Sequence, residues 1–153
     1  MTDSHINLPQ DQPCAFCDYL SGRRAFTVLG RNDIVAVLVT REQRGMGHVL
    51  VVPTRHYPTL LEATTAERHA LIDTVAVCAE AIDAAYERPG IAVWQNNGVA
   101  AHQAIGHLHF HVAGTLPGGG TDFGKVEEVP VKQTDAIAQR LNDAGFSLTA
   151  GLP

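Results

Sequence analysis

No apolar run in this chain approaches the ~20 residues needed to span a bilayer, so a membrane-crossing helix is not expected. Basic residues are few. Lys and Arg number 11 against 16 Asp and Glu, giving a formal net charge of -5 with no basic cluster, which argues against a nucleic-acid partner. Residues 1–13 are polar, contain Pro9 and Pro13, and lack the apolar core of a signal peptide. The expectation is a cytoplasmic protein, in which three cysteines do not make a disulfide framework. Internal repeats are absent. What remains is an ordinary soluble balance, 45% hydrophobic and 18% charged over 153 residues. That predicts a flexible leader over 1–13 and a single domain over 14–153.

Histidine is what the chain has in excess. Of eight, four (His102, His107, His109, His111) fall within ten residues. In Gly106-His107-Leu108-His109-Phe110-His111-Val112-Ala113, histidines alternate with large apolar residues, the period-2 signature of a half-buried strand. The three imidazoles are expected on one wet face, with successive roots about 6.8 Å apart. Leu108, Phe110 and Val112 are expected to point into a core. Imidazoles titrate near neutral pH and serve as base, nucleophile or metal ligand, so three in register predict an active-site strand.

Other elements are legible around it. Ile34–Val39 and Val49–Val52 read as strands, the first entered by an Arg31-Asn32-Asp33 turn and the second stopped by Pro53. Between them, Thr40–Gly47 is a polar loop. Thr64 with Glu67 predicts a capping box opening a helix to Arg88. Its apolar face carries Leu71, Ile72, Val75, Cys78, Ala79, Ile82, Ala85 and Tyr86, and Pro89-Gly90 ends it. Ile91–Trp94 reads as a further strand running into Asn96-Asn97-Gly98, a hairpin neighbour of the histidine strand. Pro117–Gly120 reads as a mobile loop, and a weaker helix is expected from Thr134 or Asp135 to Ala144, stopped by Gly145. This order predicts an α+β fold on an antiparallel sheet of about five strands, with one long helix and a C-terminal helix. Cys14-Ala15-Phe16-Cys17 has spacing that lets two thiolates reach one metal ion, and zinc is favoured over a redox dithiol because no strand precedes the pair.

The run His107–Ala113 resembles the signature of the histidine triad (HIT) superfamily of nucleotide hydrolases and transferases, His-φ-His-φ-His-φ-φ with φ apolar. Asn96-Asn97-Gly98 and Gln103 precede it at the family's spacing, and Gly47-His48-Val49-Leu50-Val51-Val52-Pro53 resembles its Gly-His-φ-φ-φ-φ-Pro strand. The likeness covers about residues 14 to 116. It implies that His109 is the nucleophile toward an α-phosphate, that His111 and His48 orient it, bind phosphate and help pass a proton, and that Asn96 and Gln103 contact phosphate. It also implies a homodimer with joined sheets. In bacterial members with an N-terminal Cys-x-x-Cys, the likeness implies a structural zinc on Cys14, Cys17, His56 and His107. The chain departs from the pattern at Thr40, where the family often has a ribose-binding acid, and at His102 and Ala104, where it has Gly and Ser. It departs again at Gly114-Thr115, where Pro-Arg is frequent.

Three functions are compatible with these residues. The leading one is a hydrolase or transferase acting on dinucleoside polyphosphates or nucleotidyl amides through a nucleotidyl-histidine on His109. The second is a zinc metallohydrolase in which His107 and His109 share a catalytic metal. The third is a non-catalytic nucleotide-binding or interaction protein on the same fold.

Overall fold

The β-branched run at 35–39 makes the most enclosed strand of the molecule, and the rest of the sheet is built outward from it. The structure, a computed structural model, describes residues 4–10 and 12–148. Five strands, β1 (Val28–Arg31), β2 (Val35–Val39), β3 (Met46–Pro53), β4 (Ile91–Gln95) and β5 (Phe110–Gly114), form one antiparallel sheet in the order β1-β2-β3-β5-β4. All of β2 is buried because both faces of the sheet are covered. Val35, Val37, Val39, Val49, Val51 and Val112 face the long helix α2 (Thr65–Tyr86). Ala36, Leu38, Leu50 and Val52 face the short helix α1 (Ala15–Ser21) through Cys14 and Phe16.

Helix α2 begins as its sequence requires. Thr64 accepts from the Glu67 backbone N–H and Glu67 reaches back to the Thr64 N–H, which satisfies two of the helix's orphan donors. Leu71, Val75, Cys78 and Ile82 are its buried stripe, and full burial stabilises each of the two fully enclosed ones, Leu71 and Ile82, by about 1.5–3 kcal/mol. Ile72, expected in that stripe, is 55% exposed. It lies one residue, a turn of roughly 100°, from Leu71 and outside the arc that the sheet covers. Cys78 is a core residue, as expected.

The C-terminal helix α3 starts earlier than its sequence suggests, at Val131, and runs to Asp143 behind Pro130. Thr134 does not cap it. It is buried in the first turn, where its hydroxyl meets that of Thr27 at 2.6 Å and donates to the Val131 carbonyl. Two elements lacked a periodic signal: α1, whose first turn holds the Cys-x-x-Cys pair, and β1, four residues long. Residues 6 and 7 of the leader lie against the 98–99 turn, with the Asn7 carbonyl accepting from the Val99 N–H. A side chain at Gly98, whose φ is +95°, would meet Ile6. Among the described residues no helix is long and apolar enough to cross a membrane.

Candidate active site

The histidine run differs from a straight half-wet strand. Only Phe110–Gly114 joins the sheet, paired on one side with β3 and on the other with β4. Residues 107–109 leave the ladder, and the Leu108 N–H donates to the carbonyl of Tyr57. The face expected to be wet is covered by α1: Phe16 sets its ring edge-on to His107 and His109, at 5.6 and 5.1 Å between centroids. His107 is fully buried and His109 nearly so.

His107 turns its ring away from the other two. Its Nε2 lies 2.8 Å from the Pro53 carbonyl, an acceptor only, so the proton is on Nε2 and the Nδ1 lone pair points the other way. There it meets the Cys14 Sγ at 3.6 Å, the Cys17 Sγ at 3.7 Å and the His56 Nδ1 at 3.1 Å, and the Cys17 Sγ also lies 3.5 Å from the His56 Nδ1. All four ligand atoms lie within 4.8 Å of one another. A tetrahedral zinc with Zn–S of about 2.3 Å and Zn–N of about 2.05 Å has S···N edges of about 3.5 Å and an N···N edge of about 3.3 Å. The four donors therefore fit a divalent ion of that kind. Burial, then the neighbouring Cys14, push the Cys17 thiol up to about 11, and a divalent ion beside two sulfurs reverses this balance. Four protein donors would fill the shell of such an ion, the arrangement of a structural site.

His109 has the opposite tautomer. Its Nδ1 is 2.8 Å from the carbonyl of His107, so the proton sits on Nδ1 and the lone pair on Nε2. Among the described residues the cluster is the one convergent set of three or more His, Cys, Asp or Glu donors, and His109 is outside it. A metal shared by His107 and His109 is not supported by these ring directions.

His48 and His111 form a pair, His48 Nε2 to His111 Nδ1 at 3.0 Å. A bulge builds it: on β3, Gly47 and His48 stand opposite the single Ala113 of β5. Gly47 has φ +65°, and a Cβ there would come within 2.6 Å of the Tyr86 ring, so the Gly of the Gly-His motif is required twice over. His48 Nδ1 is 3.1 Å from both the Arg44 N–H and the Glu42 carbonyl, so either tautomer of this ring has a partner. Burial pushes His48 down to about 3. Burial, then His109 and His48, push His111 down to about 2. Both rings are neutral at physiological pH.

These groups open onto a pocket of about 630 Å³ lined by His109, His111, Asn96, His102, Ala104, Thr40 and a set of aromatic residues. Thr40, His102 and Ala104, where the chain departs from the family pattern, all reach this pocket. Trp94 stacks flat on His111, and Phe123 lies edge-on to Trp94. The sequence reading did not identify Phe16, Trp94, Phe123, Arg41 or Arg44 as part of the site. Trp94 carried a usable signal, since it stands two residues before Asn96 and so shares its face. Gln103, which the resemblance assigns to phosphate, holds a loop in this structure. Its amide hydrogens go to the carbonyls of Pro58 and Ile105 and its oxygen accepts from the Gly98 N–H, so it holds the 98–105 loop and has no donor left for phosphate. Asn96 lines the pocket, with one amide hydrogen on the Ala101 carbonyl.

The HIT domain family model matches residues 23–117. The chain belongs to the HIT family. An adenylylsulfatase of Arabidopsis thaliana is 31% identical over 99 residues, 65% of this HIT protein and 50% of the plant protein, so the match spans half of that relative. An adenosine 5′-monophosphoramidase of Schizosaccharomyces pombe is 27% identical over 99 residues, covering 65% of this chain and 71% of the other. Among solved structures, a Hit-like protein of Bartonella henselae aligns with a TM-score of 0.80 at 25% identity, over 89% of this chain and 98% of that one. A zinc-bound histidine triad family protein of Mycobacterium smegmatis shares the fold at a TM-score of 0.72 and 20% identity, over 86% and 94% of the two chains. The HIT family includes hydrolases, and the five-stranded antiparallel sheet with its three helices is the fold of these neighbours.

Proposed function

We propose that this HIT protein is a nucleotide hydrolase or nucleotidyltransferase that cleaves at an α-phosphate through a covalent nucleotidyl-histidine on His109. The observation that carries the reading is the 2.8 Å contact from His109 Nδ1 to the His107 carbonyl, which leaves Nε2 as the nucleophilic nitrogen beside the pocket. In the first step Nε2 attacks phosphorus, an N–P bond forms, and the bond from phosphorus to the leaving group breaks. The leaving atom takes a proton from the His111–His48 pair. The positive charge then on the His109 ring lies 4.9 Å between centroids from His111 and offsets the proton that the pair has lost. In the second step water attacks phosphorus and returns one proton to the pair. The N–P bond breaks, its electron pair returns to Nε2, and a nucleoside 5′-monophosphate leaves. Asn96 is assigned to a phosphate oxygen, which gains charge on the way to the transition state. The relatives that bear the names adenylylsulfatase and adenosine 5′-monophosphoramidase support adenosine compounds as the first substrates to try.

Cys14, Cys17, His56 and His107 would hold zinc, whose role when bound is to tie the start of the domain to the histidine run. Strand β4 is an edge of the sheet with Val93 exposed on it, and we assign that edge to a second copy of the chain. The test is hydrolysis of adenosine 5′-phosphoramidate with and without a strong chelator. Turnover that resists the chelator is expected. Turnover abolished by the chelator in a protein that stays folded would replace this reading with the metallohydrolase, and no turnover of any adenylyl compound would replace it with the binding module.

A further inference from the structure

The loop between β4 and the histidine run is braced into one small body. The Gly98 N–H donates to the Gln103 side-chain oxygen at 2.7 Å, and the Gly98 carbonyl accepts from the N–H groups of Ala101 and Gln103. The His102 N–H returns to the Val99 carbonyl, and the Asn96 amide donates to the Ala101 carbonyl at 2.8 Å. Asn96 and His102 line the pocket. With such bracing, Asn96 follows whatever holds the rest of the loop.

Gln103 and Asn97 tie this loop to the domain. Gln103 donates to the Pro58 and Ile105 carbonyls, and the Asn97 side chain accepts from the Leu60 N–H at 2.8 Å. A further tie comes from the leader, where the Asn7 carbonyl accepts from the Val99 N–H at 2.8 Å. Val99 opens a short helical turn that Gly98 leaves without a side-chain cap, so the Asn7 carbonyl takes up one of its orphan donors. Beside this bond Ile6 packs on Gly98. A Cβ at Gly98 would come within 2.5 Å of Ile6 Cγ2 and 3.3 Å of the Asn7 carbonyl. Gly98, at φ +95°, therefore both makes the turn and lets the leader seat on bare backbone.

The leader lies outside residues 23–117, the part matched by the family model. Among the described residues none of it lines the pocket, so its influence on the site runs through the loop. Val99 is 52% exposed, and a bond at such a place contributes little to global stability. Its consequence is for position. We propose that Ile6 and Asn7 are positioning residues, a strap seated on Gly98 and Val99 that holds the 96–103 loop so that Asn96 meets the phosphate oxygen. The proposal rests on the assignment of Asn96 to that oxygen. Because the oxygen gains charge on the way to the transition state, a misplaced Asn96 lowers kcat more than it raises KM.

Two variants release the strap from opposite sides. Ile6→Asp puts a carboxylate, which holds its water, where the leader seats. Val99→Pro removes the N–H that Asn7 receives, at the first position of a helical turn, where proline is tolerated. In each variant the 96–103 amides should lose about tenfold in hydrogen-exchange protection, with α2 unchanged and the melting temperature within about 2 °C. With adenosine 5′-phosphoramidate, kcat should fall about tenfold, short of the hundredfold or more that losing such a donor costs. KM should stay within about twofold, and Ile6→Val should keep wild-type rates. In an Asn96→Ala background, Ile6→Asp should lower kcat no further. Unchanged exchange or unchanged kcat would overturn the proposal, as would an equal further loss in the Asn96→Ala background. A fall in melting temperature large enough to explain the lost rate would overturn it too. If the wild type turns over no adenylyl compound, the nucleophile reading falls, and the exchange result alone upholds or overturns the strap.

Discussion

The Nδ1 of His109 lies 2.8 Å from the carbonyl oxygen of His107, so the residue that offers its ring to the cysteine cluster sets the tautomer of its neighbour with its backbone. His107 is itself held at both ring nitrogens, by the Pro53 carbonyl and by the cluster. In the proposed function the alternating run divides its work accordingly: the first histidine would anchor, the second would carry the nucleophilic lone pair, and the third pairs with His48.

The cluster should act as a clamp on stability before it acts on rate. A Cys14→Ser, Cys17→Ser double variant is expected to melt about 10 °C or more below wild type, since loss of a structural ion removes several kcal/mol from folding. Initial rates in the cold should fall only modestly, because β3 and β4 still hold β5. The comparison needs melting curves and rates over a temperature series. Equal heat stability would remove the cysteines from the set of structural ligands, and complete inactivity of a folded variant in the cold would make the cluster part of the chemistry.

Acid should weaken the fold through the His48–His111 pair. Both rings titrate far below the ~6.5 of an unfolded histidine, His48 near 3 and His111 near 2, with burial the main cause. Below pH 6.5 the unfolded chain binds protons that the folded one excludes. The pair's contribution is therefore complete above about pH 6.5 and is lost as pH falls from there toward 3. Each fully linked group gives a slope of about 1.4 kcal/mol per pH unit. Melting temperatures between pH 7 and pH 4.5 should fall more steeply for wild type than for a His48→Asn, His111→Asn variant. Parallel curves would show that the pair does not titrate as its burial requires.

Gln103 separates a loop-holding role from a phosphate contact. Gln103→Ala leaves the Pro58 and Ile105 carbonyls and the Gly98 N–H without their partner, and about 2–4 kcal/mol of stability should go with them. Denaturant melts should show the loss, and saturation kinetics should show kcat and KM changing together as the loop carrying His102 and Ala104 loosens. A raised KM at unchanged stability would restore the phosphate contact.

The fold was legible where local pattern and tertiary context agree. The capping box at Thr64 and Glu67 and the β-branched run at 35–39 needed no partner to be recognised, and the structure bears both out. The histidine run was legible as a site but not as a shape. Alternation places side chains on faces, yet the burial of His107 depends on α1, seven residues whose only local mark was a metal-type cysteine pair. The loop-holding bonds of Gln103 were not legible for a related reason: they go to three backbone groups up to 45 residues away, which no spacing encodes. Arg41 and Arg44 gave no sign in sequence that they fasten the 122–129 segment, because that contact joins chain positions about 80 residues apart.

The proposed chemistry turns on His109. Adenosine 5′-phosphoramidate labelled in the nucleoside should be mixed with the protein, quenched in alkali within the first turnovers, where a phosphorus–nitrogen bond to imidazole survives, and digested for mass spectrometry. One adenylyl group on the peptide containing His109 is the expected result. The label should be absent in a His109→Asn variant that melts like wild type and keeps less than about a hundredth of its turnover. An adenylyl group on His48, His107 or His111, or full turnover by the folded His109→Asn variant, would contradict it.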